Sequence, residues 1–372
     1  MTQTVHILSD GFHSPNARGL LHPLIIHRNL LKDSGIKINI FCRAKPGFAD
    51  CDLLIVDSKH FHGSIRGRLE YIQTRIQNFK IHCNKLAWYD STDSAGWIAG
   101  EILPLVDKYI KSQILKDRNA YLKPMYGRRV YTDFYHRHNG ISDDESDLIP
   151  QVQDSQLLQR LVLGWNSGLA NYTRYGPTLM SLYERSRFPL LLRHSGPSGH
   201  IKAPRPHALS CRMGASYQRN TVSYQRKQLL KHLPQFVSSE KLKRGAHFAE
   251  LKKSRATLSP FGLGEITLKD FEVFLAGSLL LKPDMAHIET WPNLYIDGET
   301  IMSFAWNLKD IDLLIQSIED NPIKASEIAA RGQELYLRYV GPTESGKLFC
   351  KHFSEIVKCL TNNSDSRPTC TV

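Results

Sequence analysis

Four short apolar runs in the first ninety residues constrain this chain more than any other feature. Residues 5–8, 36–41, 51–56 and 85–89 have strand character, and 36–41 alternates apolar and polar side chains at period two. Residues 20–31 and 69–79 lie between them with apolar side chains at helical spacing, and Gly35 stops the first. Strand and helix in alternation argue for a parallel sheet with helices on its faces. A further helix is expected over 98–110 and another over 156–164, with 140–154 as a polar, acidic surface loop. The rhythm returns in the second half. Strands are expected over 208–211, 236–238, 256–259, 279–283 and 295–296, and helices over 222–233, 247–254, 308–319, 324–340 and 344–360.

A chain of 372 residues is too long for one ordinary domain and fits two. The predicted fold class is therefore α/β, with two Rossmann-like domains facing a cleft and a C-terminal helix. The expected boundaries are 1–160 for the first domain and 161–340 for the second. A helix over 341–360 is expected to pack back on the first domain, followed by a disordered tail over 361–372.

Composition excludes several classes. Hydrophobic residues make up 41% and charged residues 23%, and no run approaches the roughly 18 apolar residues of a membrane span. The N-terminus lacks the basic and apolar regions of a signal peptide. Seven scattered cysteines without a Cys-x-x-Cys pair point to reduced thiols rather than disulfides or zinc. A cytoplasmic location is expected, with peripheral association at a membrane as an option.

The net charge of +12 is concentrated. Residues 202–255 carry 13 Lys and Arg against two acidic side chains, and 105–140 carry eight against three. Clustered positive charge favours an anionic partner: a nucleotide diphosphate, an anionic membrane surface or nucleic acid. The alternative is a solvated basic face. Basic residues over 108–129 interleave with Tyr109, Tyr121 and Tyr126, which fits an acceptor groove, a membrane patch or an RNA patch.

The segment Ser259-Pro-Phe-Gly-Leu-Gly-Glu265 reads as a strand end and a glycine loop. Gly262 and Gly264 would permit close backbone approach and positive φ. Thr267 and Asp270 form a capping box that starts a helix carrying Glu272. Backbone N–H groups at that helix start can hold an anion or sugar hydroxyls. The alternative is that Glu265 and Asp270 only favour the helix N-terminus. Arg212 and Arg219 follow a predicted strand, with Arg226 on the next helix, and guanidinium groups bind phosphate oxygens bidentately. Asp90 and Asp93 follow the strand 85–89, and Asp10, Gly11 and His13 follow the first strand. These carboxylates suit a general base or an acceptor contact, or alternatively helix capping. His287 lies in a loop after the strand 279–283 and reads as structural.

The 259–283 segment resembles the donor-binding region of retaining and exostosin-like glycosyltransferases of the two-Rossmann (GT-B) architecture. The resemblance covers about residues 205–340 and reaches the first half only in architecture. It implies donor contacts from Arg212, Arg219, Gly262, Leu263, Gly264, Glu265 and Glu272, with Glu272 on the ribose hydroxyls. It implies an acceptor-side base among Asp10, Asp90 and Asp93, with no metal and no cofactor beyond the nucleotide-sugar substrate. One departure stands out: six residues separate Glu265 from Glu272, whereas the retaining families often have seven.

The resulting expectation is transfer of a sugar from a nucleotide-sugar donor to a hydroxyl of a glycan or lipid-linked acceptor in polysaccharide biosynthesis. The alternatives are a nucleic-acid-binding protein using 202–255, against which no RNP-like, helix-turn-helix or zinc pattern appears, and an inactive nucleotide-sugar-binding scaffold.

Overall fold

The computed structural model describes residues 2–62, 66–144, 148, 151–235 and 237–361. Phe236, much of 145–150 and the expected tail beyond Thr361 lie outside the described residues.

The first half supplies strands β1 (Gln3–Leu8), β2 (Ile36–Phe41), β3 (Cys51–Asp57), β4 (Cys83–Asp90), β5 (Lys108–Lys111), β6 (Gln113–Leu115) and β7 (Leu161–Leu163). All but β6 form one parallel sheet in the order β2-β1-β3-β4-β5-β7. Helices α1 (Pro15–Ile26), α2 (Arg28–Asp33), α3 (Leu69–Lys80), α4 (Val130–Asn139) and α5 (Gly176–Ser186) accompany it. The strand order reverses between β1 and β3, which makes their carboxyl ends a switch point. Ser9 and Ser91 both donate to the buried Asp57 there, at 2.8 and 3.3 Å.

The second half supplies β8 (His207–Ser210), β9 (Ser254–Leu258), β10 (Leu279–Pro283), β11 (Ile288–Thr290) and β12 (Met302–Phe304). Strands β12-β10-β9-β8 form a second parallel sheet. Its helices are α6 (Asn220–Lys231), α7 (Arg244–Lys253), α8 (Leu268–Ala276), α9 (Ile311–Asp320) and α10 (Pro322–Val340). The last helix, α11 (Ser345–Thr361), lies on the first unit: Phe349 and Phe353 pack edge-on to Trp165, and His352 meets the Gly164 carbonyl at 2.8 Å. The remaining strands, β6 and β11, pair antiparallel and strap the two units together.

Several local expectations change. The first helix begins at Pro15 rather than residue 20, because Ser14 caps it by accepting from Ala17 N–H at 3.1 Å and proline suits the first helical position. No α-helix forms over 98–110, only a 3₁₀ turn at Leu103–Leu105. Pro104 cannot continue an α-helix, and Lys108–Lys111 instead pairs with β4. Residues 156–164 divide into a 3₁₀ stretch and β7. Because β7 pairs with β5, the first unit runs past the expected boundary at 160. Residues 237–238 and 295–296 are not strand. No described helix is long and apolar enough to cross a membrane.

Candidate functional site

Two clefts open at the carboxyl ends of the parallel strands and meet at Tyr217 and Thr267, which line both. The larger, about 810 Å³, belongs to the second unit, beyond β8 and β9 and beside the start of α8. The smaller, about 420 Å³, runs between the loop after β4, the start of α1 and the loop 263–268.

The larger cleft is cationic. Arg212, Arg226, Lys241, Arg244 and Lys269 line it, with Glu240 the one carboxylate among its described lining. Arg226 is buried and fixed by its Nε to the Phe261 carbonyl and its Nη1 to the Gly214 carbonyl, both at 2.9 Å. Its guanidinium carbon lies 4.8 Å from the Tyr217 ring centre. Lys269 enters from the first turn of α8 and donates to the Arg212 carbonyl. Burial lowers its pKa to about 8. The expected capping box is present on α8. Thr267 N–H and Oγ1 donate to Asp270, which also takes Ser259 Oγ and the buried Lys282 ammonium at 2.8 Å. Asp270 therefore holds the loop and helix together rather than facing the cleft.

Glu272 sits two residues further on, buried behind the cleft wall. It takes Arg244 Nη1 at 2.5 Å on one oxygen, and His247 Nε2 lies 3.3 Å from the other. Arg244 is further held by the carbonyls of Tyr172, Thr173 and Arg174. Arg244 and His247 escaped the sequence reading. Their signal was an i, i+3 spacing at the start of a helix, which puts both on one face.

Other candidates are placed differently. The guanidinium of Arg212 is occupied by Glu250, with Nε 2.9 and 3.0 Å from the two carboxylate oxygens and Nη2 also donating. That pairing holds the Glu250 carboxyl low against the effect of its own burial. Arg212 thus presents a neutralised pair rather than an open fork. Arg219 caps the start of α6, with Nη1 3.8 Å from where a Cβ on Gly127 would sit, outside the lining of either cleft.

The loop Gly262, Leu263, Gly264, Glu265 turns toward the first unit. Tyr131 Oη donates to the Gly262 carbonyl at 2.8 Å and Arg129 Nε to the Leu263 carbonyl at 2.7 Å. Glu265 is fully buried and accepts from Ser94 Oγ at 3.0 Å and Ala95 N–H at 2.9 Å. Burial would raise its pKa. His287, whose Nε2 stands 3.8 Å away, and the Ala95 N–H outweigh that, and the carboxyl is held below its usual range. Glu265 is therefore a bond between units, not a lining residue. Neither glycine has positive φ. Gly264 is needed for close approach, since a Cβ there would lie 1.8 Å from the Asp93 carbonyl oxygen, whereas Gly262 has ordinary space around it.

The three carboxylates expected on the acceptor side separate. Asp90 is buried with Lys111 at 3.2 Å and takes Tyr109 Oη at 2.6 Å. Burial alone would raise its pKa, but the Lys111 charge and these hydrogen bonds win and lower it. A carboxylate so satisfied is a poor proton acceptor. Asp10 pairs with His62 at 3.1 Å and does not line the smaller cleft. Asp93 does line it, exposed, with Oδ1 taking Asn16 Nδ2 at 2.8 Å. In the expected aromatic–basic patch over 108–129 the tyrosines do not reach the surface: Tyr109, Tyr121 and Tyr126 are buried together with Lys111 and Arg128, while Lys116 and Lys123 stay exposed. Among the described residues no three His, Cys, Asp or Glu side chains gather as a metal site.

No protein-family model matches the chain, and no curated protein matches it by sequence. Solved structures similar to it include HepE of Anabaena in complex with UDP and glucose, at 9% identity, covering 97% of this chain and 100% of that one with a TM-score of 0.47. They include a glycosyltransferase of Rickettsia africae at 9% identity, covering 98% and 100% with a TM-score of 0.42. They also include the pneumococcal O-GlcNAc transferase GtfA in complex with UDP and GlcNAc, at 10% identity, covering 90% and 60% with a TM-score of 0.40.

Proposed function

We propose that the chain is a glycosyltransferase that moves a sugar from a nucleotide diphosphate to an acceptor hydroxyl. The observation that carries the reading is the pair of clefts meeting at Tyr217 and Thr267, one cationic and one bearing an exposed carboxylate, at the carboxyl ends of two parallel sheets. The diphosphate would lie in the larger cleft against Arg226, Lys269 and the start of α8, where fixed positive charge stabilises the departing group. Arg244 and His247, held by Glu272, would meet the nucleoside. The acceptor would enter the smaller cleft beside Asp93. In the reaction the bond between the anomeric carbon and the diphosphate oxygen breaks, the acceptor oxygen bonds to that carbon, and Asp93 receives the hydroxyl proton. The nucleotide diphosphate leaves with its electron pair. The acceptor class favoured is a glycan or lipid-linked saccharide, and none of these steps calls on a metal.

Calorimetry with UDP, GDP and their sugars tests the reading, with UDP and UDP-glucose first because HepE holds them. Micromolar binding by the wild type, weakened at least about tenfold in Glu272→Ala, is expected, since removing a buried partner releases Arg244 from its position. No nucleotide binding by the wild type would sink the proposal.

A further inference from the structure

A third cavity, about 860 Å³, lies on the far side of α1 from the smaller cleft, at the carboxyl end of β2. Phe12, Leu21, Ile25 and Tyr183 give it an apolar floor, Leu190 lies at its edge, and Arg28, Arg187 and Arg193 ring it with exposed guanidinium groups. Among the described residues no carboxylate lines it. The nearby Glu184 is turned to His13 at 3.4 Å. Arg28 is steadied by a 2.9 Å bond from Nη2 to the Ile38 carbonyl.

The rim continues outward as an exposed apolar edge. Leu182, Phe188 and Leu190 are 48%, 54% and 50% exposed, interspersed with Arg185, Arg187 and Arg193. Exposed large apolar side chains among arginines, with an apolar hollow behind them, match neither water nor a folded polar partner. They do match a bilayer surface. Apolar side chains enter the acyl boundary, and guanidinium groups stay at the level of the phosphates.

We infer that this cavity and the segment 182–193 dock the protein on an anionic phospholipid bilayer. The arginines take lipid phosphates, and Phe188 and Leu190 insert beside an acyl chain that reaches the cavity floor. This goes beyond sugar transfer and does not depend on it. If both hold, Gly11 and Phe12 at the membrane contact lie a few residues before Ser14 and Asn16 at the acceptor cleft.

The test is co-sedimentation of the full chain with vesicles of phosphatidylcholine alone and of phosphatidylcholine mixed with phosphatidylglycerol. The wild type should bind the mixed vesicles, less so at high salt. The double variant Arg187→Gln/Arg193→Gln should bind them roughly twentyfold more weakly. The double variant Phe188→Ser/Leu190→Ser should lose binding at both salt concentrations, and all three proteins should keep one thermal midpoint because the four residues are exposed. No binding by the wild type, equal binding to both vesicles, variants that sediment like the wild type, or binding to RNA without binding to vesicles overturns the inference. Calorimetry with UDP on the same proteins reads the sugar-transfer proposal separately, since none of the four side chains lines the nucleotide cleft.

Discussion

The two walls of the paired clefts carry charge in different ways. On the second unit's wall five Lys and Arg side chains line the cleft against Glu240, while the matching carboxylates Glu250 and Glu272 sit behind them. On the first unit's wall the strongest charges are buried and cancel: Asp90 with Lys111 is sealed, and Asp93 alone among the candidate carboxylates lines the cleft. A surplus of cations at the surface selects an anion, whereas a buried matched pair selects a shape. Under the proposed function the first wall would position a neutral group beside one carboxylate, and the second would hold phosphate.

The largest way to break this contrast is at Asp90. Asp90→Ala leaves Lys111 buried without its partner and should cost about 3–5 kcal/mol by urea unfolding. Asp93→Ala should cost less than about 0.5 kcal/mol and lower turnover by about a hundredfold or more. If both variants behave alike, the division into a sealed and a working carboxylate fails. Next is the loop that joins the walls. Gly264→Ala would drive a Cβ into the Asp93 carbonyl and part the loop from the first unit, with a loss in kcat on the order of a hundredfold. Gly262→Ala should leave kcat nearly unchanged, and a comparable loss there would show that the loop needs flexibility rather than contact.

Smaller effects sharpen the cationic side. Arg226→Ala should weaken UDP binding by about tenfold, the scale of one charge-assisted hydrogen bond. Arg212→Ala should weaken it less, because its guanidinium already serves Glu250. The reverse order in calorimetry would mean that Arg212 exchanges Glu250 for phosphate. The smallest effect is in pH. Lys269 is charged below its lowered pKa of about 8 and loses its proton above it. Diphosphate affinity should therefore be full at lower pH and fall as pH rises through and somewhat beyond 8, since bound anion favours the protonated form. Lys269→Arg should flatten that fall between pH 7 and 9 to within about twofold, because an arginine stays protonated throughout. An unchanged profile would remove Lys269 from the site.

Much of the fold was legible because its signals are local. The strands 36–41, 51–56 and 279–283 carry their apolar runs within a few residues, and the Thr267–Asp270 capping box spans one turn. The departures are also local: Pro104 interrupts the apolar stretch 98–110, and Ser14-Pro15 starts the first helix ahead of residue 20. At the candidate site the sequence brings forward segments that line the clefts, but not which side chains within them are already held by partners. Glu265 and Glu272 look alike in the chain, but the partners of Glu265 lie 171 and 170 residues away, at Ser94 and Ala95. No spacing rule reaches that far. Arg212 likewise reads as a free cation until the fold brings Glu250, 38 residues on, against it.

By itself the sequence determined an α/β chain of two sheets, a basic second half, a glycine loop before a capped helix, and the carboxylates and guanidiniums from which a site could be made. Only the tertiary structure decided which of them face solvent and which face each other. Backbone preference and hydrophobic period act over a few residues. The ionisation and availability of a charged side chain depend on burial and on partners within a few ångströms, which distant parts of the chain supply.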